Sequence, residues 1–223
     1  MGASPRPPAR SGPDLRFLRD DGHLSTALGR LAAGGLPPLL PAVAGALVVG
    51  VLLVAGLNRL SGITLFAPVA ALLLSGVASG HPHDGRFDRL VPPILRATEY
   101  LYLLALGYGS GVPEPLVFAL VAVVVLHHAD AVHRTRCGVR PPAWLMRAML
   151  GWDGRMLVTA VGGALGWLPF TYGVLAGYLA VLLVWEAATG WLATPVAEAA
   201  APDTPEEPET PRNDTGGVNA STG

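Results

Sequence analysis

Lysine is absent from this chain of 223 residues, so all fifteen basic residues are arginine. With so much Ala, Gly and Pro beside them, this reads as the codon bias of a GC-rich genome. Cysteine occurs once, as Cys137, which excludes an intramolecular disulfide and a multi-cysteine metal site. The lone thiol lies in a basic stretch; a passive cysteine is the simpler reading and a reactive one the alternative. Charge is scarce too, at 14% of residues, where a soluble domain carries about 25%. No H-E-x-x-H zinc motif is present. No apolar run follows the first residues, so a secretory signal peptide is not expected. No nucleic-acid partner is expected either.

What the chain does have is apolar sequence: 51% hydrophobic residues and a mean hydropathy of +0.46. Residues 1–13 are rich in Pro, Arg and Ser and read as a disordered tail. Residues 14–35 mix charge with Leu24, Leu28 and Leu31 at helical spacing, which suits an amphipathic helix lying on a membrane surface. Asp20-Asp21-Gly22 interrupts that pattern. Residues 194–223 combine repeated Pro with six acidic side chains against Arg212, the composition of a disordered acidic tail. Between them, residues 36–193 hold six candidate spans: 38–57, 63–79, 90–108, 115–131, 155–170 and 172–191. A bilayer core calls for about 20 apolar residues per helix. The third span is the least apolar, since it carries Arg96 and Glu99. Three apart, these share a helix face and are expected to neutralise each other.

The arginines turn these runs into a topology. Arg6, Arg10, Arg16, Arg19 and Arg30 precede the first span. Arg86 and Arg89 lie between the second and third; Arg134, Arg136, Arg140, Arg147 and Arg155 follow the fourth; Arg212 is in the tail. The intervening gaps hold only Arg59. The positive-inside rule then places both termini in the cytoplasm. The expected fold is all-α: a polytopic, six-helix transmembrane bundle, multi-pass in the plasma membrane, with the lipid bilayer as its first partner.

Three polar clusters fall at the expected cytoplasmic ends: residues 81–89, residues 127–136 and residues 151–155. The simpler reading is that charges and Trp collect where helices leave a membrane. A metal site is the sharper one, with Asp84, Asp88, His127 and Asp130 as candidate ligands for a divalent ion. His127, Asp130 and His133 share helical spacing on roughly one face. Arg89, Arg96 and Arg155 are the candidate phosphate-binding groups, beside Asp-Gly turns and a helix start expected after Asp153. Glu99 and Glu186 are possible helpers from inside the bundle.

Residues 81–89, His-Pro-His-Asp-Gly-Arg-Phe-Asp-Arg, resemble the start of the CDP-alcohol phosphatidyltransferase signature, D-x-x-D-G-x-x-A-R. Asp84, Gly85 and Arg89 match; His81 and Asp88 replace Asp and Ala. Where that signature continues with Gly, Asp and Asp, this chain has Thr98, Tyr102 and Leu106, so the remaining carboxylates of its metal site are missing. A longer resemblance runs through Gly80–Arg86, Val91–Tyr102, Pro141–Trp144 and Gly151–Arg155, which look like the domain of unknown function 5941. That family often accompanies a nucleotidyltransferase and a CDP-alcohol phosphatidyltransferase. The resemblance implies a tie to phospholipid or polyol-phosphate head-group metabolism and those enzymes as partners, but transfers no catalytic residue. Two expectations follow. One is a non-catalytic membrane module. The other is a phosphotransferase on CDP-linked alcohols, with Mg or Mn as cofactor. A transporter ranks below both, since interior polar groups are few and no inverted repeat is evident.

Overall fold

The computed structural model describes residues 18–32, 36–56, 65, 67–81, 87–137 and 143–193, and every regular element among them is helical. In chain order these are α1 (His23–Leu31), α2 (Leu39–Ala55), α3 (Ala67–Gly76), α4 (Val91–Gly109), α5 (Glu114–Arg136), α6 (Ala143–Ala148), α7 (Gly151–Ala164) and α8 (Leu168–Ala193). A 3-10 turn, Asp88–Leu90, leads into α4. The all-α expectation holds. Contacts divide the chain into Met1–Glu186 and Ala187–Gly223; all packing described here lies in the first unit.

Local sequence explains the boundaries. Pro92 and Pro115 sit in the first turns of α4 and α5, where a missing N–H costs nothing. α4 and α7 end in the same way. Gly111 and Gly166 take φ of +70° and +75°, and the next residue's N–H reaches back to a carbonyl five positions earlier: Val112 to Gly107 at 3.0 Å, Trp167 to Gly162 at 2.8 Å. This left-handed glycine stop satisfies carbonyls that a helix end otherwise leaves open. It also moves one expected boundary. The break falls at residues 165–167, so α7 is only 14 residues long and α8 starts earlier than the expected sixth span.

The helices run back and forth. Gly45 of α2 packs on Ala71 and Ser75 of α3, and Gly163 at the end of α7 lies on Leu65 ahead of α3. Gly107 of α4 meets Val117 of α5 and Tyr172 of α8, and the Tyr172 hydroxyl donates to the Leu103 carbonyl at 2.7 Å. One end of the bundle therefore gathers the end of α4, the starts of α5 and α8, and the end of α7. The other gathers the opposite ends and α1. The shared core includes Leu95, Tyr102, Leu106, Leu120, Val124, Trp152, Met156 and Leu179.

Among the described residues, two helices are long and apolar enough to cross a membrane, Glu114–Arg136 and Leu168–Thr189; Leu39–Ala55 and Ala67–Gly76 are apolar but shorter. The 81–89 stretch is described only at His81 and from Phe87 onward, so Asp84 lies outside the described residues, as do Arg140 and the 194–223 tail.

Candidate functional site: a buried ion cluster

Arg155 is the centre of the site. It lies one turn into α7 and is fully buried, at 0% exposure. Its Nε donates to Glu99 Oε1 at 2.6 Å and its Nη2 to Glu99 Oε2 at 2.9 Å, a two-pronged pairing that matches guanidinium to carboxylate. Nη2 also donates to Asp20 Oδ2 at 2.6 Å, and Nη1 to the Met149 carbonyl at 3.1 Å. A bare buried guanidinium would be prohibitively costly. Here two carboxylates and a carbonyl replace its water.

Asp20 extends the cluster to α5. His127 Nε2 lies 3.4 Å from Asp20 Oδ1 and His128 Nε2 3.2 Å from Asp20 Oδ2. The Tyr100 hydroxyl is 2.6 Å from His128 Nδ1. One neutral tautomer satisfies both contacts: His128 donates from Nε2 to Asp20 and accepts from Tyr100 at Nδ1. The 3.4 Å approach of Arg155 Nη2 to the same His128 Nε2 is then a close packing contact, because that nitrogen carries the proton. The result is a continuous chain, Tyr100–His128–Asp20–Arg155–Glu99, drawn from the segment before α1 and from α4, α5 and α7.

Asp20 is held well below the usual aspartate range. Burial alone pushes its carboxyl up, but Arg155 and the bonds from His127 and His128 outweigh it. Asp21 moves the other way. Burial raises it against Arg19 and the Trp152 indole, which donates at 3.1 Å. The sign for Asp20 is clear. Its folded value lies below the unfolded one of about 3.9, so its stabilisation is complete above about pH 5 and is lost as pH falls toward the folded value. Acid unfolding in detergent, followed by tryptophan fluorescence, is expected to steepen below pH 4. Asp20→Asn is expected to remove part of that slope.

The segment 18–22 is held by more than charge. Arg96 Nη2 donates to the Leu18 carbonyl at 3.0 Å, Arg19 pairs with Asp21 at 2.8 Å and reaches the Ser75 carbonyl at 3.1 Å, and the Trp152 N–H donates to the Asp20 carbonyl at 3.0 Å. Asp153 Oδ2 accepts the Ser25 N–H at 2.7 Å. The residue capping the start of α1 is Gly22, which has no capping side chain, so a carboxylate from α7 supplies the cap and the favourable charge at its first turn. Asp20 and Leu150 both sit at positive φ, 54° and 67°. For a leucine this is a strained conformation that its surroundings must enforce.

Several expected placements change. Glu99 pairs with Arg155 instead of Arg96, which turns to the Leu18 backbone. The start of α7 is Gly151, and Asp153 within its first turn is engaged with α1. Of the candidate metal ligands, Asp88 is buried in the turn before α4, and His127 faces Asp20. Asp130 pairs with Arg134 at 2.6 Å, and Arg134 in turn reaches Glu186 at 3.2 Å. His133 is exposed, 3.7 Å from Cys137 Sγ, and does not share His127's surroundings. Among the described residues, no group of three or more His, Cys, Asp or Glu side chains is arranged to hold a metal ion. Of the candidate phosphate groups, Arg89 is exposed, Arg96 half-buried and Arg155 buried in its ion pairs. Asp20, His128 and Tyr100 were not singled out from the sequence. The available signal was the Asp20-Asp21-Gly22 break, which immediately precedes α1.

No curated protein and no solved structure matches the chain. A family model does match, over residues 9–210, which takes in every described residue. The chain belongs to the family of unknown function DUF5941.

Proposed function

We propose that this protein is a non-catalytic membrane module: six spans, both termini cytoplasmic, multi-pass in the plasma membrane. It would act as a scaffold or partner for enzymes of phospholipid or polyol-phosphate head-group metabolism, a CDP-alcohol phosphatidyltransferase or nucleotidyltransferase among them. The observation that carries the non-catalytic reading is the engagement of the reactive side chains. Arg155, Glu99, Asp20 and His128 are bonded to one another and closed to solvent, and Asp130 is tied to Arg134. A group that must take up substrate needs an open donor or acceptor; these are already used in holding the helices, and the segment before α1, to one another.

Two further observations support the membrane. The surface is apolar where a soluble bundle would be polar: Leu40, Val51, Phe118 and Val181 are each about two-thirds or more exposed. Inside, several helix contacts are made by Gly and Ser, as at Gly45 on Ser75 and Ser25 on Gly76. Small residues at helix contacts and large apolar ones outside are the arrangement of helices in lipid.

The enzyme alternative has its own test. Calorimetric titration of the detergent-purified protein with Mg or Mn and with a CDP-linked alcohol is expected to give no saturable heat. Saturable binding that disappears in an Asp84→Ala, Asp88→Ala double variant would overturn the non-catalytic reading. Crosslinking in native membranes is expected to capture a CDP-alcohol phosphatidyltransferase or nucleotidyltransferase.

A further inference from the structure

The end of the bundle that holds the ion cluster sorts its charges by depth. Asp20, Asp88, Glu99, Asp153 and Glu186 are buried, and Asp130 is paired with Arg134. Arg30, Arg89 and Arg136 are exposed. Arg19 and Arg155 are buried with their carboxylate partners, so the charges left outward on the described surface here are those of exposed arginines.

Apolar side chains stand beside those arginines. α1 packs through small residues: it buries Ser25 and Gly29, rests Leu28 partly against the core, and leaves Leu24 and Leu31 outward. Ser79 donates to the Ser25 carbonyl at 2.7 Å, and a side chain at Gly29 would overlap Ser79. Leu24 and Leu31 are left 46% and 84% exposed, with Arg30 next to Leu31. Phe87 and Leu90 are likewise exposed around Arg89. Two of the three leucines of α1 therefore face outward beside Arg30, where a helix covering a soluble core would turn them in.

We propose that α1 and the turn at Asp88–Leu90 form a docking face for anionic phospholipid of the adjacent leaflet. Leu24, Leu31, Phe87 and Leu90 enter the boundary of the acyl chains, and Arg30 and Arg89 hold headgroup phosphates. Charge selects the occupant. An apolar face alone would accept any lipid, whereas exposed arginines flanking leucine and phenylalanine favour a negatively charged headgroup. Asp20, from the ion cluster, and Asp153 hold the α1 part of this face in place, because they fix the segment before α1 and its first turn. The inference rests on the membrane reading above.

The test uses the full chain in nanodiscs, in a Cys137→Ser background, with a bimane label at Leu31→Cys. Nanodiscs of one phosphatidylcholine and phosphatidylglycerol mixture carry bromine on one lipid or the other. Quenching at position 31 is expected to be severalfold stronger from brominated phosphatidylglycerol, and Arg30→Gln with Arg89→Gln is expected to equalise the two. Equal quenching in the parent, or none, overturns the inference. A label at Val181→Cys, on the exposed side of α8, separates the two readings. Quenching there by both lipids with none at position 31 overturns the docking face alone. No quenching at either position overturns the membrane reading and this inference with it.

Discussion

Arg155→Met abolishes the cooperative thermal transition of the detergent-purified protein, or lowers it further than any other single substitution in the described bundle. Methionine keeps much of the arginine's length and removes its charge. What remains is Glu99 at 0% exposure and Asp20 at 4%, facing each other across the vacated place without a cation. Breaking a buried pair by deleting one partner costs about 3–5 kcal/mol, more than half of a modest domain's stability. The asymmetry of such clusters supplies the control. Glu99→Gln keeps an acceptor for Arg155 Nε and leaves Asp20 to balance the charge, so its loss is expected to be smaller. Combining Arg155→Met with Glu99→Leu and Asp20→Asn removes the uncompensated charges and is expected to recover part of the transition. Differential scanning fluorimetry of the four proteins decides the matter. An Arg155→Met protein that melts with the parent would mean the ion pairs contribute nothing net.

How far the sequence disclosed this site depends on the kind of signal each residue leaves. Helix identity is periodic and local, so the apolar runs read as helices, and Pro92 and Pro115 marked their starts. Glu99 stood out because charges within apolar runs are expensive and must be accounted for, and Arg155 because it follows an Asp-Gly pair at the edge of a span. Their partnership did not stand out. Glu99 sits three residues from Arg96, and spacing favours that pair. The actual partner is 56 positions away, and no periodicity connects them. Asp20 was hidden more deeply. Asp20-Asp21-Gly22 reads as a break in a helical pattern, and α1 starts directly after it. What it says about depth depends on Trp152 and Arg155 folding over it, 131 and 135 positions later. His127 and His128 were visible as a polar pair at a span end, but adjacent residues on a helix point about 100° apart. The expected grouping of His127 with Asp130 and His133 gave way to one in which both histidines turn to Asp20.

Gly151→Ala is the second large effect, and it acts through backbone packing alone. Gly151 has φ of +67°, a conformation that costs alanine about 1–2 kcal/mol on its own. The added methyl would also overlap the backbone N and Cα of Gly22 and come within 2.7 Å of the Asp20 carbonyl. These are main-chain atoms, which no rotamer change can move aside. Gly22 is equally closed, since a side chain there would overlap Asp153 and the Leu150 carbonyl. The two glycines therefore let the start of α7 and the start of α1 touch, and only at that separation do Trp152 N–H and Asp153 reach their partners. Alanine at 151 is expected to push residues 18–22 off the bundle while α4, α5 and α8 stay packed. Trypsin reports this directly. Arg19 is 1% exposed in the docked segment, so cleavage after it is expected to be slow in the parent and fast in Gly151→Ala, with cleavage after the exposed Arg30 as the internal reference. Gly154→Ala, where the nearest neighbour is the Leu150 side chain at 3.0 Å, is the matched control and is expected to cleave like the parent. If Gly151→Ala protects Arg19 as well as the parent does, close approach of α1 to α7 is not what holds the segment, and the charges of Asp20 and Arg155 hold it unaided.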